Sequence, residues 1–137
     1  MKIIIVDDNK TFRESLKYYV EDELLHEVIA MAVDGLEFLK IENIHKADIV
    51  LMDIEMPNLN GIETTKRALN DYPALKIVAI TNYTDRAYLI DLLSAGFKGC
   101  VFKNSVYDDL KNALSNLFSN KLYFPNNILT IRNIVNK

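Results

Sequence analysis

Five short apolar runs recur along the chain: IIIV (3–6), VIAMAV (28–33), IVLM (49–52), IVAI (77–80) and CVF (100–102). Each is continuous rather than alternating, and β-branched residues are frequent in the first four. Strands read this way when both their faces are covered, the situation of a parallel sheet held between two layers of helices. The segments between the runs carry helical periodicity. Phe12, Leu16, Tyr19 and Val20 mark one stripe, Leu36 and Leu39 a shorter one, and Ile62, Thr65 and Leu69 a third that Pro73 must stop. A fourth segment carries Leu89, Leu92 and Leu93 between Thr84, an expected N-cap, and Gly96, an expected C-terminal residue. The fifth opens on SVYD, where Ser105 and Asp108 suggest a capping box, and continues through Val106, Leu110, Ala113, Leu114 and Leu117. Strand and helix therefore alternate five times. Right-handed crossovers turn that alternation into an α/β three-layer sandwich, an open parallel sheet with helices on both faces.

Composition narrows the class of partner. The 137 residues are half apolar and 26% charged, with a formal net charge of −3, so no general attraction to nucleic acid or anionic membrane is indicated. The one cysteine, Cys100, admits no internal disulfide and fits a reducing compartment. MKIIIVDDN offers four apolar residues before two aspartates, too few for a signal peptide, and no segment reaches transmembrane length. A cytoplasmic domain without membrane attachment is expected. After about Asn120 the pattern breaks into KLYFPNNILTIRNIVNK, expected to be a tail or the start of a linker over 121–137, following one domain over 1–120.

An open α/β sheet binds ligands beyond the carboxyl ends of its strands. Strand one ends in Asp7 and Asp8, strand three in Asp53, strand four in Thr81 and strand five in Lys103. One edge thus gathers three carboxylates, a hydroxyl and an ammonium. Without a counterion such carboxylates repel, and at least one pKa must rise. Mg2+, which favours one or two carboxylates together with substrate phosphate oxygens, removes that difficulty. The pattern points to Mg2+-assisted phosphoryl chemistry with one aspartate as nucleophile.

VDD after the first strand, DIEMPNLNGIE after the third, AIT closing the fourth and VFK closing the fifth resemble the receiver domain of bacterial two-component response regulators. KNS and KLYFPNNI further resemble the subfamily whose receivers precede LuxR-type helix-turn-helix output domains. The resemblance spans residues 1 to about 120 and implies a flavodoxin-like fold with strand order 2-1-3-4-5. It implies that Asp53 accepts a phosphoryl group from a sensor histidine kinase or phosphotransfer protein, with Lys103 contacting the phosphoryl oxygens. Asp8 becomes a direct Mg2+ ligand, Asp7 a ligand acting mainly through water, and the Glu55 backbone carbonyl completes the metal shell together with Asp53. Thr81 becomes the switch hydroxyl, and Pro57 and Gly61 shape the loop before the third helix. Such a domain is a signalling switch that catalyses only its own phosphorylation and dephosphorylation. It presents an altered face to a partner or to a second copy, and reaches DNA only through an output domain.

The chain departs from that pattern at Cys100, three residues before Lys103, where the family usually has an aromatic switch residue. Tyr83 is the nearest aromatic in sequence to take over that role, and Asn82 stands where a small residue is usual. Two rival readings remain at this level. One is an aspartate-nucleophile phosphohydrolase, although Asp7–Asp8 is not the usual DxD pair and no insertion is long enough for a cap. The other is a receiver-like binding module locked in one state. Each residue also has a plain reading: Asp7 and Asp8 as helix-capping acids, Asp53 and Glu55 as turn acids, Lys103 as a surface charge, Cys100 as an inert buried thiol.

Overall fold

The computed structural model describes residues 1–125. Its elements alternate as β1 (Lys2–Val6), α1 (Lys10–Tyr18), β2 (Glu27–Ala32), α2 (Gly35–Leu39), β3 (Ile49–Asp53), α3 (Gly61–Asp71), β4 (Ile77–Thr81), α4 (Arg86–Ala95), β5 (Gly99–Phe102) and α5 (Val106–Phe118). The five strands form one sheet of order β2-β1-β3-β4-β5, and every pairing is parallel. This is the flavodoxin-like arrangement.

Period-2 alternation sorts the apolar runs between two cores. Ile3 and Ile5, Ile49 and Leu51, Val78 and Ile80, and Val101 face α1 and α5, where they meet Leu16, Val20, Val106, Leu110, Ala113, Leu114 and Leu117. Ile4 and Val6, Val50 and Met52, Ile77 and Ala79, and Cys100 belong to the opposite cluster, with Phe38 of α2, Ala68 of α3, and Leu89, Leu92 and Ala95 of α4. All five residues of β3 and of β4 are buried, as continuous apolar runs require. At the sheet edge the parity slips. A register shift between Ile3 and Ile4 leaves Ile29 without a partner on β1, so Ile29 and Ala30 both serve the second cluster while Val28 and Met31 serve the first.

Several local expectations are corrected. Val33 lies outside β2 and is 39% exposed, because the edge strand ends where its cover ends. In α2 the buried large side chain is Phe38, while Leu36 is exposed; five residues make too short a turn for a Leu36–Leu39 stripe to set its face. The N-cap of α4 is Asp85 rather than Thr84, since its carboxylate sits one residue nearer the helix and accepts from Ala87 N–H at 2.8 Å. Ser105 makes no capping bond. A 3-10 turn over Lys103–Ser105 leads into α5, and the Ser105 hydroxyl donates to Asp109 instead of forming a box with Asp108. Gly96 does end α4 in the left-handed region, at φ 104°.

Packing runs past residue 120. Tyr123 pairs in parallel with Gly99 at the outer edge of β5, and Phe124 is buried among the residues under α4. The LTIR segment and the apolar stretch around it lie outside the described residues. No helix among the described residues is long and apolar enough to cross a membrane.

Candidate functional site

The parity that divides the cores also delivers the site. Asp7 and Asp53 continue the α1/α5-facing rows of β1 and β3, and Lys103 continues that of β5. Thr81 continues the opposite row of β4, the α4 side on which Cys100 lies. Three charged groups are thereby gathered on one side of the sheet's carboxyl edge and the hydroxyl and thiol on the other.

Asp53 ends β3 and is 5% exposed; Asp7 is 1% exposed. The Lys103 ammonium stands 3.0 Å from Asp7 Oδ2 and 3.4 Å from Asp53 Oδ1. The exposed Asp8 completes the cluster: one carboxylate oxygen each from Asp7, Asp8 and Asp53 lies within 4.8 Å of the others. One ammonium cannot balance three carboxylates. Burial and then the charge of Asp7 push the Asp53 carboxyl up to about 7, against the opposing pull of Lys103 and of the Ile54 N–H that Asp53 accepts at 2.9 Å. Burial works against the Lys103 ammonium, but its hydrogen bond to Asp7 and the charges of Asp53 and Asp7 prevail and hold its pKa above the ordinary lysine range. The excess negative charge and hard oxygen donors fit a small divalent cation.

Capping explains why the two first-strand acids are free for this task. Asn9, not Asp7 or Asp8, caps α1, its side-chain oxygen accepting from Phe12 N–H at 3.0 Å. Asp7 is instead held in place: Oδ1 accepts from Asn9 N–H at 2.8 Å, and its carbonyl accepts from Arg13 Nη1 at 2.7 Å. The Phe12 ring lies 4.7 Å beneath the Lys103 ammonium. Asn9, Phe12 and Arg13 are supporting residues that the strand-end reading passed over. An Asn before the first apolar-periodic residue was the legible signal for Asn9.

The loop after β3 is fixed at both ends. Gly61 opens α3 against the backbone of Asp53; a Cβ there would come 2.2 Å from the Asp53 carbonyl oxygen, so only glycine fits. Asn58 takes a positive φ of 67° and donates to Asp34 at 2.7 Å. Glu55 is exposed, and its carboxylate accepts from the Tyr83 hydroxyl across the mouth of the site. That bond holds the Tyr83 phenol above its usual pKa.

On the other side of the sheet, Thr81 is buried and its hydroxyl accepts from Tyr83 N–H at 3.1 Å. Tyr83 itself remains on the surface, and the aromatic that reaches inward is Tyr88 of α4, its ring centroid 5.0 Å from that of Tyr83. The Tyr88 hydroxyl is buried beside Thr81. Cys100 is 3% exposed, and burial pushes its thiol up to about 12, so it packs as a small apolar side chain. Asn82 is exposed and is not among the polar contacts of Asp53.

A five-stranded parallel α/β sandwich with an acidic cluster and a lysine at its carboxyl edge is a layout that suits phosphoryl-transfer chemistry. Residues 3–115 match the response regulator receiver domain, and the chain belongs to that family. It is 36% identical over 110 residues to the "Uncharacterized transcriptional regulatory protein YhcZ" of Bacillus subtilis, covering 80% of this chain and 51% of that one. It is 32% identical over 114 residues to the transcriptional regulatory protein DegU of Brevibacillus brevis, covering 83% and 48%. A crystal structure of a LuxR-family two-component response regulator from Aurantimonas sp. SI85-9A1 is 27% identical and superposes with a TM-score of 0.85 over 94% of this chain and 92% of that one. The chain spans about half the length of these curated relatives and is a response regulator receiver domain; the phosphohydrolase and locked-module readings are not favoured.

Proposed function

We propose that Asp53 is the phosphoacceptor of a two-component relay and that its phosphorylation alters a partner-binding or self-binding face. The observation that carries this is the position of Asp53: a buried carboxylate ending the central strand, 3.4 Å from Lys103 and within the Asp7–Asp8 cluster. A carboxylate oxygen of Asp53 attacks the phosphorus of a phosphohistidine; the P–O bond forms, the P–N bond breaks, and the imidazole leaves with its electron pair and takes up a proton. β3 is buried along its whole length, which fixes the nucleophile, and phosphoryl transfer depends mainly on such positioning and on charge neutralisation. Lys103, already between Asp7 and Asp53, is placed to hold a phosphoryl oxygen. Asp7, Asp8, Asp53 and the Glu55 carbonyl would hold Mg2+, which supplies charge neutralisation at the phosphoryl group. Asp7 and Lys103 keep their mutual contact while the Asp53 carboxylate takes up the phosphoryl group. The Thr81 hydroxyl then turns from Tyr83 N–H toward the new acceptor oxygens, and the β4–α4 loop follows.

The donor fits a sensor histidine kinase or phosphotransfer protein, and the output a homodimer or a transcription-regulating partner, as the names of the relatives suggest. Incubation with Mg2+ and acetyl phosphate should add one phosphate per chain by intact mass, and none to Asp53→Ala. An unreactive wild type, or equal labelling of the variant, refutes the assignment.

A further inference from the structure

The outer edge of β5 carries a short bridged segment that the alternation of five runs does not announce. After α5 the chain turns at Asn120, with φ 61°, and Leu122–Phe124 run parallel to β5. Tyr123 N–H donates to Lys98 O at 3.1 Å, and Cys100 N–H donates to Tyr123 O at 2.8 Å. Asn116 of α5 fastens the start of the segment, its side-chain amide donating to Leu122 O at 3.1 Å. Side chains alternate as in any strand: Leu122 and Phe124 join the cluster under α4, and Tyr123 the cluster under α5. Gly99 admits the close approach, since a Cβ there would meet Tyr123 O at 3.2 Å and Leu117 Cδ1 at 3.3 Å.

We propose that Leu122–Phe124 is a releasable clasp whose hold on β5 is opposed by phosphorylation of Asp53, so that the site controls the attachment of the chain that follows. This rests on the Asp53 reading above. The geometry places Cys100 at the junction, because its main chain is bonded to Tyr123 and its side chain shares a buried cluster with Phe124, Leu89, Leu92 and Phe97. Tyr88 packs against the same cluster, with its hydroxyl buried beside Thr81. When Thr81 turns toward Asp53, the space it leaves beside the Tyr88 hydroxyl lets that ring move inward over the small Cys100 side chain. A close-packed interior cannot take in that ring without yielding elsewhere. Phe124 yields first, since two ladder hydrogen bonds and one from Asn116 hold its segment, whereas Leu89 and Leu92 belong to a complete helix and Cys100 to a complete strand.

Amide hydrogen exchange at Cys100 and Tyr123, with Mg2+ and with or without beryllium fluoride as the phosphoryl mimic, tests this directly. Loading of Asp53 is followed by the 19F resonance of the bound fluoride. Loading should speed exchange at both amides about tenfold, within the range usual for coupled sites, while Leu51 on β3 stays protected. Loaded protein with unchanged exchange at both amides overturns the clasp and leaves the Asp53 assignment standing; protein that never loads overturns both. Coupling is reciprocal, so Phe124→Ala should load at a beryllium fluoride concentration about tenfold lower. Asn116→Ala, which leaves the core intact, should shift loading the same way by a smaller factor and decides the matter if Phe124→Ala fails to fold. Unchanged loading in the folded variants overturns the proposal.

Discussion

The two faces of the sheet are built from the same strands and differ in what they can tolerate. The face under α1 and α5 is wholly aliphatic among its buried members, from Ile3 and Leu16 to Leu114 and Leu117. It ends, at the carboxyl edge, in the ionisable groups Asp7, Asp53 and Lys103. The face under α2, α3 and α4 mixes Phe38, Met52, Phe97, Cys100 and Phe124 and ends in Thr81, with the Tyr88 hydroxyl buried beside it. Branched aliphatic side chains packed between long helices hold a nucleophile still. A mixed layer containing a small thiol, a methionine and a phenylalanine carried on a short bridged segment repacks more readily. A receiver domain needs both properties, and the pleat separates them.

The largest expected effect breaks the rigid face. Leu110 is fully buried there, and Leu110→Ala should cost about 3–5 kcal/mol in urea unfolding while the folded fraction still labels at Asp53. A cost no greater than that of trimming the α4 face would remove the distinction. The next effect is electrostatic. The Asp53 carboxyl is raised in the folded chain to about 7 from an ordinary 3.8, so the fold favours its protonated form. That contribution is present in full below pH 4, fades as pH rises toward 7, and is gone above it. Asp53→Asn should therefore stabilise the metal-free domain by about 2–4 kcal/mol at pH 8 and hardly at all at pH 4, measured by denaturant titration at both values. Added Mg2+ should shrink the difference at pH 8.

Cys100→Ala, on the adaptable face, should cost only about 1 kcal/mol, since a small side chain leaves a small cavity and its neighbours can close on it. A loss as large as that of Leu110→Ala would show this layer to be equally unforgiving. The smallest effect lies outside both cores. Glu14 faces Lys10 at 4.0 Å with both side chains largely exposed, and Glu14→Ala should change stability by less than about 0.5 kcal/mol by the same measurement.

Much of this was legible in the chain. Continuous apolar runs mean strands buried on both sides, and polar residues at their ends mean an edge that can do chemistry, so Asp7, Asp53, Thr81 and Lys103 were identifiable before any coordinates. The misplaced details were local ones. Thr84 and Asp85 are both competent caps and only the helix start chooses between them. Leu36 and Phe38 are both apolar, and only the neighbours of a five-residue helix determine which of them turns inward.

What the sequence determined by itself was the repeating unit, the five strand ends and the chemical type of the site, because hydrophobic periodicity and residue chemistry are local properties. What only the tertiary structure decided was which distant groups meet: the Phe12 ring under Lys103, Tyr88 rather than Tyr83 beside Thr81, and Tyr123 on the edge of β5. The first and last of those contacts join residues far apart in the chain, and all three depend on strand order, register and helix placement, none of which a single stretch of sequence contains.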